Sequence, residues 1–254
     1  MCLIVFALDC HPRYPLILGA NRDEFRRRET APAGFWSDAP HILAGRDLQA
    51  GGTWMGIARS GRLAAVTNYR DMRQQVVAPP SRGGLVTSFL QDETLSAAEF
   101  SAALHRDGER YDGFNLLYGT AYDLHYYTNR GGSSGPVPPG IHALSNHLLN
   151  SPWPKVSAAK SCLADILNND TIAPETIISA LADPTPFAQE LLPDTGIGPE
   201  RERLLSPLFI DDPVYCTRST SVILVTREGQ VIFCERSYTV TESTEAHFEF
   251  DLTH

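Results

Sequence analysis

The chain opens directly into a strand. Cys2–Leu8 is an unbroken apolar run, Pro15–Ala20 is a second, and Asp9-Cys10-His11-Pro12-Arg13-Tyr14 between them is rich in turn residues. The two runs read as a β-hairpin beginning at the very start of the chain. In a short antiparallel hairpin the outgoing strand's beginning lies beside the return strand's end. Cys2 is therefore predicted to neighbour the polar segment Asn21-Arg22-Asp23-Glu24. Two further hairpins follow, Gly52–Ala58 with Arg62–Tyr69 around Arg59-Ser60-Gly61, and Phe114–Thr120 with Tyr122–Thr128. Strands that arrive as hairpins cannot build a parallel sheet, so the chain is restricted to antiparallel sheets.

Helical periodicity marks Ser81–Leu90 and Ser96–Arg106, the second with Ser96 and Glu99 in capping-box spacing. Pro154–Asn168 and Pro174–Ala182 are predicted helices with proline in the first turn. Gly131–Gly140 reads as a loop before a short strand, Ile141–Asn146. Asp183–Pro213, with its repeated prolines, reads as an irregular covering loop or mobile flap. Val214–Thr217, Ser221–Arg227 and Val231–Ser237 are predicted strands, and Thr244–Leu252 a final edge strand. The fold class is α+β in a single domain over residues 1–254. Two antiparallel sheets face to face, with helices on both outer sides, account for this order, and a two-layer α+β arrangement also fits it.

At 254 residues, 43% of them hydrophobic, the chain can bury a sizeable core. A net charge of −9 spread along the chain argues against a general nucleic-acid binder, which needs a basic face. The one basic cluster, Arg26-Arg27-Arg28, is flanked by Asp23, Glu24 and Glu29. Five widely spaced cysteines with no C-x-x-C argue against a disulfide framework, a zinc ribbon or covalent haem attachment, and fit a reducing, cytoplasmic compartment. The apolar stretch at residues 3–8 is too short to span a membrane and has no basic region before it.

Cys2 carries the chemistry. With Met1 removed, it holds a thiol of ordinary pKa about 8.5 beside an α-amine of about 8. An amine that accepts the thiol proton makes a one-residue nucleophile–base pair. Arg22 and Asp23 are predicted nearby: a guanidinium favours thiolate, and a carboxylate orients the ammonium. Three other segments end in an amide or a guanidinium, at Asn68, Asn146 and Arg218. Asn side chains are neutral donors suited to an oxyanion hole. Adjacent residues of an extended strand point to opposite faces. Either a turn begins at Arg22, or only one of Arg22 and Asp23 reaches Cys2, with Glu24 as substitute.

Met1-Cys2, Ala20-Asn21-Arg22-Asp23-Glu24, Gly51-Gly52-Thr53-Trp54, Thr67-Asn68-Tyr69-Arg70, Ser81-Arg82-Gly83, Gly113-Phe114-Asn115-Leu116-Leu117 and Leu144-Ser145-Asn146 resemble the NRDE family, also called the transport-and-Golgi-organization type. The resemblance runs from Met1 to Ser221. It implies the four-layer αββα fold of N-terminal-nucleophile hydrolases and a similarity to cysteine acylases of the choloylglycine-hydrolase kind. In that light Cys2 would be the nucleophile, Arg22 and Asp23 would tune it, Asn68 and Asn146 would serve the oxyanion, and Arg218 would stabilise charge. The substrate would be a small acyl compound, cleaved at an amide or thioester without metal or cofactor. The family has also been connected with haem mobilisation and lipid or acyl-CoA homeostasis, which implies an alternative: a non-enzymatic carrier of haem or a lipid-like ligand. The chain itself shows no haem signature, and His41, His105, His125, His142 and His147 read as solvated or structural.

Overall fold

The computed structural model describes residues 2–71 and 76–253, and every structural statement below concerns those residues. In chain order the strands begin with β1 (Cys2–Leu8), β2 (Leu16–Phe25), β3 (Thr30–Phe35), β4 (Ile42–Asp47), β5 (Met55–Ala58) and β6 (Leu63–Asn68). Helices α1 (Gly83–Gln91) and α2 (Ala97–Asp107) follow, then β7 (Phe114–Gly119), β8 (Leu124–Thr128), β9 (Gly135–Pro136) and β10 (Gly140–Leu144). The rest comprises α3 (Pro154–Ile166), α4 (Pro174–Ala180), α5 (Pro199–Leu204), β11 (Tyr215–Val225), β12 (Gln230–Tyr238) and β13 (Ser243–Asp251). One sheet has the order β10-β1-β2-β11-β12-β13, the other runs β3 through β9 in sequence, and both are antiparallel.

Alternation along the strands builds the layers. Ile4, Phe6 and Leu8 of β1, with Leu16 and Leu18 of β2, point between the sheets and meet Leu43, Met55, Ile57 and Leu117. Leu3, Val5, Ala7 and Ile17 point the other way, onto Val156, Ala159 and Leu163 of α3 and Ile177 of α4. Because both faces of β1 are covered, its residues read as a continuous apolar run rather than an alternating one. The second sheet presents Ala64, Val66, Leu116 and Tyr118 outward to Val86 and Phe89 of α1 and Phe100 and Leu104 of α2. The result is α+β, four layers in the order αββα. At Gly19 of β2, α4 packs so closely that an added Cβ would collide with Ile177.

Five elements differ from the sequence reading, each for a physical reason. β2 continues through Asn21-Arg22-Asp23-Glu24 to Phe25, because β11 supplies partners for that whole stretch. The predicted strands Val214–Thr217 and Ser221–Arg227 are one strand, β11, with a register shift between Thr217 and Ser219 that leaves Arg218 as the bulged residue. Strands β3 and β4 were not legible, since Thr-Ala-Pro-Ala-Gly-Phe has little alternation and β3 is an irregular edge strand containing Pro32. The segment 183–213 contains α5 and is anchored rather than free: Asn21 Nδ2 donates to Leu208 O at 2.8 Å, and Arg70 pairs with Glu202 at 2.9 Å. No helix is long and apolar enough to cross a membrane.

Ile4 is fully buried between the sheets. Ile4→Ala is expected to cost about 2–5 kcal/mol through lost burial and a residual cavity. Urea unfolding should show this as a lower midpoint with an unchanged slope.

Candidate active site

Cys2 begins β1 and faces Arg22 of β2 across the ladder, while Asp23 pairs with Thr217 of β11. Arg22 shares the inter-sheet face with Ala20 and Leu18, and Asp23 lies on the helix-covered face with Ile17. The strand does not turn at Arg22, yet both residues line the same cavity as Cys2, which lies where β1 starts. That cavity, about 490 Å³, opens at the end of the sandwich and is also lined by Glu24, Trp54, Asn68, Arg82 and Arg218. Its size suits a small-molecule site.

Burial dominates the electrostatics. It pushes the Cys2 thiol above its ordinary value; Asp23 adds to the rise, and the nearby guanidinium of Arg22 opposes it without reversing it. The sequence-based expectation that Arg22 favours thiolate is thus outweighed by desolvation. The resting sulfur is protonated and needs a base. Asp23 is itself raised by burial, with the Lys155 ammonium pulling it back down and a hydrogen bond from Thr217 Oγ1 (2.8 Å to Oδ1) helping. Tyr215 donates its hydroxyl to the Asp23 carbonyl at 2.7 Å. Glu24 is less buried than Asp23; its carboxylate accepts from the Phe25 N–H at 2.8 Å.

Asn68 ends β6 at the cavity wall. Asn146 is buried but does not line the cavity: its Nδ2 donates to the Asn68 carbonyl at 3.0 Å, and its Oδ1 accepts from Ser145 Oγ at 3.3 Å. Together with the hydrogen bond from Thr67 Oγ1 to Ser145 O (2.7 Å), it splints β6 to the segment after β10. Its placement suits holding Asn68 rather than contacting an oxyanion. Arg218 lines the cavity, but its Nη1 donates to the carbonyls of Phe25, Arg26 and Arg28, at 2.9–3.1 Å. That guanidinium braces the turn after β2. The structure therefore gathers Cys2, Arg22, Asp23 and Asn68 around one space, leaves Asn146 behind the wall, and commits much of Arg218 to backbone. Met1, whose removal the chemistry at Cys2 requires, lies outside the described residues.

Sequence reasoning missed Lys155. It is buried on the first turn of α3, in the stripe that continues through Ala159, Leu163 and Ile166, and its Nζ donates to Leu205 O at 2.9 Å. The signal was present: a cation falls where the helix's apolar face should be. It also missed Arg82, Thr217 and Tyr215. Arg82 sits within one of the quoted motifs but had no role. No group of three or more His, Cys, Asp or Glu side chains among the described residues could hold a metal ion.

The family model described as Transport and Golgi organisation 2 matches residues 1–240. The chain belongs to that family. The Homo sapiens Transport and Golgi organization protein 2 homolog is 36% identical over 261 residues, and the Mus musculus homolog 35%, each comparison covering 93% of both chains. The Drosophila melanogaster family protein is 29% identical, covering 100% of this chain and 97% of its own length. Among solved structures, a mutant conjugated bile acid hydrolase from Clostridium perfringens superposes with a TM-score of 0.54 at 11% identity, covering 97% of this chain and 92% of that one. A Caenorhabditis elegans N-acylethanolamine-hydrolyzing acid amidase ortholog gives 0.51 at 9% identity, covering 88% and 92%. The family chain thus has the N-terminal-nucleophile hydrolase-like fold.

Burial lowers the Lys155 pKa to about 8, against an ordinary lysine value near 10.4. Between those values the unfolded chain binds more protons than the folded one, so this lysine makes stability rise with pH there and leaves it flat below. The stability of wild type minus that of Lys155→Met should therefore be constant below about pH 8 and move in the wild type's favour between about pH 8 and pH 10.4. Urea unfolding of both proteins at stepped pH checks the sign.

Proposed function

We propose that this chain is an N-terminal cysteine hydrolase acting on amide or thioester acyl bonds. The observation that carries the reading is the position of Cys2: a buried thiol at the start of β1, on the wall of a cavity that Arg22, Asp23 and Asn68 also line. Once Met1 is gone, the α-amine of Cys2 takes the thiol proton and Sγ attacks the acyl carbon. The ammonium then returns a proton to the leaving amine or thiol as the bond to the acyl carbon breaks, leaving a thioester on Cys2. Water, deprotonated by the same amine, attacks that thioester and releases the acid, restoring the thiol. In this reading Asn68, on the cavity wall, donates to the tetrahedral oxyanion. Asp23, with Lys155 and Thr217 behind it, holds the ammonium in orientation. None of these steps uses a metal or organic cofactor. Haem ligation, one form of the alternative carrier role, has weaker footing: His41, His105, His125, His142 and His147 all lie off the cavity wall.

Intact-mass and peptide analysis of the protein isolated from cells is expected to show a chain beginning at Cys2. Activated acyl thioesters and amides should then add one acyl mass to that residue and turn over. Cys2→Ala should lose both behaviours, and Asn68→Ala should lower kcat by roughly 10²–10³. Retention of Met1 in the cell, or acyl release that Cys2→Ala leaves intact, would refute the reading.

A further inference from the structure

Two motifs have no part in the chemistry above, Gly51-Gly52-Thr53-Trp54 and Ser81-Arg82-Gly83. The structure packs them against each other. A Cβ added to Gly52 would lie 2.9 Å from the Gly83 carbonyl carbon, and one added to Gly83 would lie 2.9 Å from Thr53 O. Only glycine at both positions lets the two backbones touch. The contact delivers the N-terminus of α1 to the cavity, where Gly52, Thr53, Ser81, Arg82 and Gly83 all form wall.

That helix end is left electrostatically open. Arg82 is the N-cap residue, no side chain caps the helix, and its first turn holds no acidic residue. The Gly84 and Leu85 N–H groups donate to the Ser81 and Arg82 carbonyls, at 3.1 and 3.0 Å, so it is the positive end of the helix dipole that has no internal anion. The Arg82 guanidinium donates Nη1 to Gly113 O at 3.0 Å and has no ion-pair partner among the described residues. Asp112 and Glu24 are the carboxylates whose field it feels. Arg28 differs, being paired with Asp47 at 2.6 Å.

An independent observation comes from the opposite wall. Arg22 is 6% exposed and lines the same cavity, and its Nη1 is buried with no hydrogen-bond partner. A buried guanidinium N–H without an acceptor is costly unless a ligand supplies one.

We infer that the α1 N-terminus, Arg82 and the unpartnered Nη1 of Arg22 form a subsite for an oxyanion, carboxylate or phosphate, so that the molecule presented to Cys2 is an anionic acyl compound. The acyl part of this statement rests on the hydrolase reading; the oxyanion subsite stands without it. Arg82 acts in specificity: it holds the charged group while Cys2 meets the carbonyl.

Iodoacetate and iodoacetamide differ by a carboxylate against an amide, and both alkylate Cys2, so their rate ratio reads the subsite directly. In protein verified to begin at Cys2, the iodoacetate-to-iodoacetamide ratio should exceed that of a free N-terminal cysteine peptide. Arg82→Gln should lower the iodoacetate rate about tenfold, as loss of one charge-assisted contact would, and leave the iodoacetamide rate within about twofold. Arg82→Lys should retain most of the preference. A wild-type ratio no higher than the peptide's, or one unchanged by Arg82→Gln, overturns the inference. Thermal unfolding gives a readout independent of the thiol: at constant ionic strength, phosphate or acetate should raise the Tm of wild type and not of Arg82→Gln. A rise with phosphate alone assigns a phosphate, and a rise with acetate alone a carboxylate. No rise with either overturns the subsite. Should Cys2 resist both alkylators while an anion still raises the Tm through Arg82, the hydrolase reading falls and the oxyanion subsite remains.

Discussion

Cys2 stands opposite Arg22 because β1 and β2 pair in a register held by six further residue pairs, from Leu3↔Asn21 to Leu8↔Leu16. Both faces of that ladder are buried, one between the sheets and one beneath α3 and α4. A slip of one residue would exchange the two faces, driving Leu3 and Val5 into space shaped for Ile4 and Phe6. It would also carry Asn21 away from the carbonyls of Leu181 and Leu208, which its Nδ2 satisfies at 2.9 and 2.8 Å. The hydrophobic core therefore sets the position of the thiol. Chain termini commonly fray; this one begins in a central strand, between β10 and β2.

The same end of the sandwich gathers charge that an apolar core would not tolerate. Arg22, Asp23, Lys155, Arg70 and Glu202 are all buried, and most are tied to one another or to backbone. Arg70 pairs with Glu202 and lies over the Trp153 ring at 4.9 Å; Glu202 also accepts from the Thr195 N–H and hydroxyl. Ion pairs this deep return little net stability, because desolvation consumes most of the Coulombic gain. Their effect here is specific placement. They fasten the proline-rich segment 183–213 over the helix side of Asp23, which keeps water from that carboxylate and lets Lys155 act on it through a low dielectric.

How much was legible in the sequence follows from where each signal resides. The hairpins and helix pairs were readable because turn residues and apolar periodicity are local, but they left a two-layer arrangement open, and the αββα order was implied by the family resemblance. The adjacency of Cys2 to Arg22 and Asp23 was readable for the same reason, since a tight hairpin brings its two ends together. The edge strand β3 and its neighbour β4 were not, because an irregular strand with Pro32 carries no period and β4 pairs with it. The fate of the polar side chains at Asn146 and Arg218 was also hidden. Whether an amide faces a cavity or a neighbouring carbonyl depends on contacts between residues 78 positions apart, as in Asn146 with Asn68. Lys155 left a local trace, a cation on an apolar helix face, but its role was hidden in the same way. Its partners Asp23 and Leu205 come from β2 and from the segment after α5, and only the folded chain brings them to one helix turn.

A thiol held above its ordinary pKa cannot act alone, so under the proposed function the nitrogen on the same residue decides what this cavity does. While Met1 is attached, that nitrogen is a peptide amide with no basicity, and Cys2 remains a buried, protonated sulfur. The walls are unaffected, because Arg22 is placed by strand register and Arg82 by the packing of Gly52 on Gly83. An unprocessed chain would therefore keep Arg22 and Arg82 on the cavity wall and, under the oxyanion inference, hold an anionic ligand without cutting it. Under the proposed hydrolase function, removal of one residue supplies the base, and the contacts inferred to hold the ligand would orient its carbonyl toward the sulfur. On that proposal binding and hydrolysis share one geometry, and the chemistry of a single nitrogen separates them.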